Sequence, residues 1–194
     1  MGLPLCRVLV ADPPWSFGDT LPGPGRGAAK HYDCMSIESI KAFALPPMAP
    51  DAALFLWRVA SMPQEALDVV RAWGFVPKTE LVWLKRTSRG KRHFGMGRYL
   101  RAEHETCIVA TRGRASVAVR NVRSAFEAPV GRHSAKPDDF FRIVESLYPL
   151  DEFGEHVELF ARKRRAGWVG IGNELPPNER LHNLYELAGA AIHP

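Results

Sequence analysis

Three groups able to act on a flat, amine-bearing ring stand side by side near the start of the chain, in Asp12-Pro13-Pro14-Trp15. A carboxylate (Asp12) and a carbonyl left free in a proline turn (Pro13 or Pro14) are fixed hydrogen-bond acceptors. Trp15 offers a plane on which an extruded base can stack. The exocyclic amine of adenine is a poor nucleophile because its lone pair is delocalised into the ring. Acceptors held beside its hydrogens draw that pair out of conjugation, so this arrangement suits methylation of an amino base. A chance Asp-Pro-Pro-Trp in a chain of this length is expected about once in a few thousand sequences on average residue usage.

The motif needs a rigid mount, and the residues before it supply one. Val8 to Ala11 is apolar and partly β-branched, which predicts a short buried strand. Two prolines then end the sheet ladder, because neither has an amide donor. A carboxylate at the carboxyl end of a core strand lies where open α/β sheets bind ligands.

These residues resemble the DPPW-type adenine methyltransferases. The likeness spans roughly Val8 to Leu175, with further blocks in the family's order: Leu54-Phe55-Leu56-Trp57, Trp73-Gly74-Phe75, His133-Ser134-Ala135-Lys136-Pro137-Asp138, Glu158-Leu159-Phe160-Ala161-Arg162 and Gly172-Asn173-Glu174. The resemblance implies S-adenosylmethionine as cofactor and a class I, Rossmann-like α/β domain. Its sheet would be mainly parallel, with helices on both faces and a permuted motif order that puts the catalytic strand first. It further implies a catalytic role for Asp12, Pro13, Pro14 and Trp15. Asp12, Ser134, Lys136, Glu158, Phe160, Arg162, Asn173 and Glu174 would bind the cofactor, with Lys136 on its carboxylate and Asn173 on its ribose. Tyr32 would line the target-base pocket and sandwich the base with Trp15, while Glu105 would face it. Arg101-Ala102 stands where the family often has Arg-Asn, so target contacts there should differ.

Composition sets outer bounds. The chain has 194 residues, of which 46% are hydrophobic and 24% charged. That is enough for one domain with a full core. A net charge of +5 suits a polyanionic partner. Three scattered cysteines, Cys6, Cys34 and Cys107, read as reduced thiols rather than a disulfide or metal framework. Glu103-His104-Glu105 lacks the spacing of a zinc hydrolase, and no metal is expected. Neither a signal peptide nor a membrane-length apolar run is read from the sequence. The expectation is a soluble, cytoplasmic protein, monomeric or homodimeric, without a membrane partner.

Two segments are expected to form substrate loops. Residues 16–34 are rich in glycine and proline and end in Lys30, His31 and Tyr32; following the catalytic turn, they are expected to act as a lid. Residues 85–103 hold Lys85, Arg86, Arg89, Lys91, Arg92, Arg98 and Arg101, interleaved with His93, Phe94 and Tyr99. Cations alternating with rings suit a nucleic-acid groove. Lys30, Arg89, Lys91, Arg92, Tyr32 and Glu105 are therefore the candidate substrate contacts. Lys163 to Arg165 read as a solubilising surface turn.

Elsewhere the pattern predicts strands over 52–57, 79–84, 106–110 and 156–161. Helices are expected from Ser36 to about Ala44, Pro63 to Trp73, Pro137 to Leu147 and Asn178 to Ala191. Gly74 is a stop. Trp57 and Trp83 are expected to be core residues, and 115–130 resists assignment. The function expected is S-adenosylmethionine-dependent N6 methylation of adenine in nucleic acid, with DNA favoured over RNA. A silent nucleic-acid-binding subunit and methylation of another amine are the competitors. Asp12 and Trp15 favour adenine over the other amines.

Overall fold

The computed structural model describes residues 5–16, 34–95, 99–131, 135–150 and 155–175. The expected C-terminal helix lies outside them. The described residues form β1 (Cys6–Ala11), α1 (Ile37–Lys41), β2 (Met48–Arg58), α2 (Pro63–Ala72), β3 (Val76–Arg86), β4 (His104–Arg112), β5 (Ala125–Pro129), α3 (Asp138–Leu147), β6 (Glu155–Leu159) and β7 (Trp168–Ile171). One seven-stranded sheet runs in the order β5-β3-β4-β2-β1-β6-β7. β4 alone opposes its neighbours; the other pairings are parallel.

Strand alternation sorts the core onto two faces. Leu9, Ala11, Leu54 and Leu56 pack with Ile40 of α1 and with Ala66, Val69 and Val70 of α2. Val8, Val10, Phe55 and Trp57 pack with Phe140, Phe141 and Val144 of α3. Helices cover both faces, so where β1 and β2 run side by side, Val8–Ala11 against Ala53–Leu56, every position must be apolar, and all of these residues are buried. On the α3 face Trp57 lies 4.8 Å from Phe140 and 6.5 Å from Trp83, ring to ring. Each fully buried side chain of this size contributes about 1.5–3 kcal/mol.

Chain punctuation follows local chemistry. Ser36 caps α1 by accepting the Ser39 amide at 3.1 Å, but this helix ends at Lys41, short of Ala44. α2 starts on Pro63 and stops at Gly74, whose φ of +79° lets the Gly74 and Phe75 amides return to Arg71 and Val70 at 2.9 and 3.0 Å. Two strands were not foreseen. β5 is short and ends in proline, and β7 carries a glycine within four residues. Both sit at sheet edges, where backbone pairing substitutes for a strong side-chain pattern.

Candidate active site

β1 lies between β2 and β6. The chain leaves β1 for β2 on one side and returns to β6 on the other, which makes its carboxyl end the topological switch point of the sheet. Asp12 is the first residue beyond that end. β2, β3, β5, β6 and β7 end, and β4 begins, at the same edge. Residues far apart in sequence thereby converge: Asp12, Trp57, Lys136, Glu158, Phe160 and Arg162 line one cleft.

On the β4 side the charges are matched. Lys136 Nζ donates to Asp12 Oδ2 at 2.6 Å and lies 3.2 Å from Glu105 Oε2. Glu105 Oε1 is 2.6 Å from Lys85 Nζ. The Lys136 side chain is only 10% exposed. Burial pulls its pKa down, but Asp12 and Glu105 outweigh that and leave the ammonium above its ordinary value. Burial likewise pushes Glu105 up, and Lys136 with Lys85 overcomes it, so its carboxyl titrates below the usual range. Lys136 Nζ also sits 5.1 Å from the Trp57 ring centroid, a cation–π contact. Lys136 and Glu105 thus join Asp12, while Lys85 is spent inside the site rather than on a phosphate.

On the β6 side the arrangement is unfinished. Glu158, level with Val10 of β1 and Gly170 of β7, is pushed up to about 7 by burial, against the opposing pull of Arg165. Phe160 holds a φ of +61°, a left-handed conformation rare for a bulky residue. Its ring packs 4.9 Å from that of Phe43. The indole Nε1 of Trp57 is buried without an acceptor among the described residues. Glu174 is 3.4 Å from Arg162, and the Ala161 amide donates to the Ile171 carbonyl at 3.0 Å, tying the ends of β6 and β7 together. An unpaired donor, a buried carboxyl and a ring held in a strained backbone fit an amino-acid-bearing cofactor with a cationic centre. Lys136 would hold its carboxylate, Glu158 and Asp12 its cationic groups, and Asn173 its ribose.

The DPPW turn itself corrects two expectations. Trp15 is 6% exposed and packs in the core on the α1 and α2 face. Its Nε1 donates to the Trp57 carbonyl at 3.0 Å, so it pins the turn to the end of β2 and leaves no open face for a base. The proline carbonyls are not free. Pro13 O accepts the Trp15 amide and Pro14 O the Met35 amide, each at 2.8 Å. Buried carbonyls are normally paired, and each keeps one lone pair for a second donor. A β-bridge pairs Trp15 with Met35. Lys30, Tyr32 and Ser134 lie outside the described residues.

The basic segment is also partly redrawn. β3 runs to Arg86, and Arg86 forms a bidentate ion pair with Glu127 of β5. Arg92 stands 3.8 Å from Glu103. Arg89 and Lys91 are exposed, as are Phe94, Tyr99 and Leu100, so cations and rings do face outward at this edge. Arg165 departs from the surface reading: it stacks 3.5 Å over Phe141 and, with Lys163, pairs with Asp138 at the start of α3. Sequence reading placed Trp57 only in the core, and nothing local signalled its second role beside Lys136.

Sheet order, switch-point carboxylate and helices on both faces define a Rossmann-like methyltransferase fold. The MT-A70 family model matches residues 6–174, and the chain belongs to that family. An N(6)-adenosine-methyltransferase MT-A70-like protein of Drosophila melanogaster is 30% identical over 174 residues, covering 87% of this chain and 26% of the relative. The human N(6)-adenosine-methyltransferase catalytic subunit METTL3 is 27% identical over 182 residues, 87% and 28% respectively. The N6-methyladenosine RNA methyltransferase MTA1 of Cryphonectria parasitica is 27% identical over 187 residues, 89% and 52%. The chain spans about a quarter of the animal relatives and about half of the fungal one. Methyltransferases of this type use S-adenosylmethionine as methyl donor. The names specify adenosine and, for the fungal protein, RNA; they lend no support to the expected preference for DNA.

Proposed function

We propose that this chain methylates the N6 amine of adenine in RNA, with S-adenosylmethionine as donor. The observation that carries the reading is Asp12 at the switch point, with its carboxylate held by Lys136 in a cleft that Glu158, Phe160 and Trp57 complete. The adenosine and RNA of the relatives' names support RNA over DNA as the substrate. The whole segment that matches the family, including an intact Asp12-Pro13-Pro14-Trp15, supports an active enzyme over a silent subunit.

The residues divide the work. Lys136 holds Asp12 Oδ2, which fixes the carboxylate and leaves Oδ1 as its acceptor for an amine hydrogen. The remaining lone pair of the Pro13 carbonyl accepts the second, and the two acceptors draw the nitrogen lone pair out of conjugation with the ring. Trp15 holds the turn rigid through Trp57, so the acceptors need no reorganisation when the amine reacts. Bound S-adenosylmethionine supplies a methyl already activated by its sulfonium. Exposed Arg89 and Lys91, with Phe94 and Tyr99, offer phosphate contacts and stacking surfaces for the strand beside the target.

The test is transfer of isotopically labelled methyl to matched single-stranded RNA and DNA oligonucleotides, followed by digestion and nucleoside mass spectrometry. N6-methyladenosine from the RNA in clear excess over product from the DNA is expected. DNA methylated faster than RNA would overturn the substrate assignment while leaving the chemistry standing.

A further inference from the structure

The far edge of the sheet, where β1 and β6 begin, carries a second basic surface that the catalytic reading does not use. Segment 113–124, between β4 and β5, contains Arg114, Arg120 and Arg123 and no acidic residue, and all three arginines are exposed. Its backbone is anchored at four points. Asp51 Oδ1 accepts the Arg114 amide at 2.6 Å, Tyr148 donates to Ala115 O at 3.3 Å, the Ala118 amide donates to Leu147 O at 2.8 Å, and the Val82 amide to Ser124 O at 2.8 Å. Between this segment and the end of α3 lies a cleft of about 310 Å³, lined by Arg7, Ser116, Val117, Leu147 and His156 among others. A neighbouring cleft adds Arg120.

Solvated loop arginines are commonplace, but these have a defined place in the topology. Arg123 stands two residues before the start of β5, and Arg86 pairs in register with Pro129 at its end. β5 is the outermost strand, and Glu127, the one acidic residue within it, is already neutralised by Arg86. Arg123 thus stands just before the start of an edge strand whose own carboxylate is already paired, and which is about 17 Å long at 3.3–3.4 Å per residue. That is the length of about five nucleotides at 3.4 Å per stacked residue.

We propose that the surface formed by 113–124 and the cleft beside α3 binds the sugar–phosphate backbone of the polynucleotide substrate several nucleotides away from the target adenine. Arg120 and Arg123 contact phosphates, and the apolar walls of Val117 and Leu147 receive a splayed base. The proposal rests on the nucleic-acid reading given above. Charge complementarity selects the occupant: a polyanion long enough to reach from the catalytic edge along β5.

The experiment uses the full chain and an Arg120→Ala/Arg123→Ala double variant. Fluorescence anisotropy is recorded for a twenty-nucleotide and a five-nucleotide single-stranded oligonucleotide, each around one central adenine, in RNA and DNA forms, over a salt series. Losing two phosphate contacts should lower the slope of log affinity against log salt by about 1.4 for the long oligonucleotide and weaken its binding at least about fivefold at low salt. Binding and methylation of the five-nucleotide form, and the melting temperature, should stay unchanged. An unchanged long-oligonucleotide slope, or equal losses at both lengths, would overturn the proposal. So would a variant that loses binding only to phosphatidylserine vesicles, which would assign the surface to a membrane. If the wild-type chain binds neither oligonucleotide, the nucleic-acid reading itself falls, an outcome separable from the others.

Discussion

Glu105 and Glu158 flank Asp12 from opposite sides, are similarly buried, and titrate in opposite directions. Glu105 sits between Lys136 and Lys85, and its pKa is lowered. Glu158 has charges of both signs nearby but no comparable ion pair among the described residues, and is raised to about 7. On the β4 side, therefore, four charges are paired among themselves in the free protein. The β6 side keeps a desolvated carboxyl, an unpaired indole donor and a left-handed Phe160. Under the proposed function, the prebuilt acceptors are on the side that orients the amine. On the same reading, the unmet groups are on the side that receives the cofactor's cationic centre.

The largest expected effect comes from breaking the closed side. Lys136→Met leaves Asp12 and Glu105 buried with one remaining cation, and should destabilise the fold by about 3–5 kcal/mol, read as a lower denaturant midpoint. A loss below about 1 kcal/mol would mean that water already screens the cluster.

The open side predicts the opposite sign. Between its ordinary pKa of 4.5 and about 7, the unfolded chain gives up the Glu158 proton while the folded chain keeps it. Stability therefore falls as pH rises through that window. Glu158→Gln removes the fall, so the variant should match the wild type near pH 4 and exceed it by roughly 3 kcal/mol at pH 8. Glu105 runs the other way: its stabilisation is present above its unfolded pKa and is lost as pH falls through the lowered folded value. Urea titrations across the pH range separate the two.

Next in size is Gly172, where an added Cβ would lie 2.1 Å from the Ala161 carbonyl oxygen and 2.7 Å from its amide nitrogen. Both are backbone atoms and cannot swing away. Gly172→Ala should cost about 1–3 kcal/mol and weaken cofactor binding more than it lowers the rate at saturation, which calorimetry beside steady-state kinetics would resolve. The smallest effect is expected at Arg86, whose pair with Glu127 is solvent-exposed; Arg86→Ala should leave the melting temperature unchanged.

Much of this architecture is legible in the amino-acid order, because it rests on local rules. The apolar run into Asp12-Pro13-Pro14, the Pro63 start and Gly74 stop, and the Ser36 cap each state their own geometry. The site is legible only as a set of types. Lys136 and Asp12 are 124 residues apart, and no spacing announces that they share a proton donor and acceptor. Trp15 reads as a stacking plate until the bond from its indole to Trp57 shows it facing the core. The proline carbonyls seem spare until the amides of Trp15 and Met35 take one lone pair of each. Lys85 looks like a phosphate contact, but strand alternation turns it inward onto Glu105. Long-range pairing decided each of these, and local pattern carries no record of it.

The central claim is that the Asp12 turn performs the chemistry while the closed and open flanks hold their ligands. Methyl transfer to an adenine-containing oligoribonucleotide by the wild type and by Asp12→Asn, with cofactor binding measured on the same samples, tests it most directly. The claim predicts N6-methyladenosine from the wild type and, for a variant that stays folded, a rate at saturating cofactor at least about a thousandfold lower. A variant that methylates within tenfold of the wild type, or a wild-type product other than N6-methyladenosine, would contradict it.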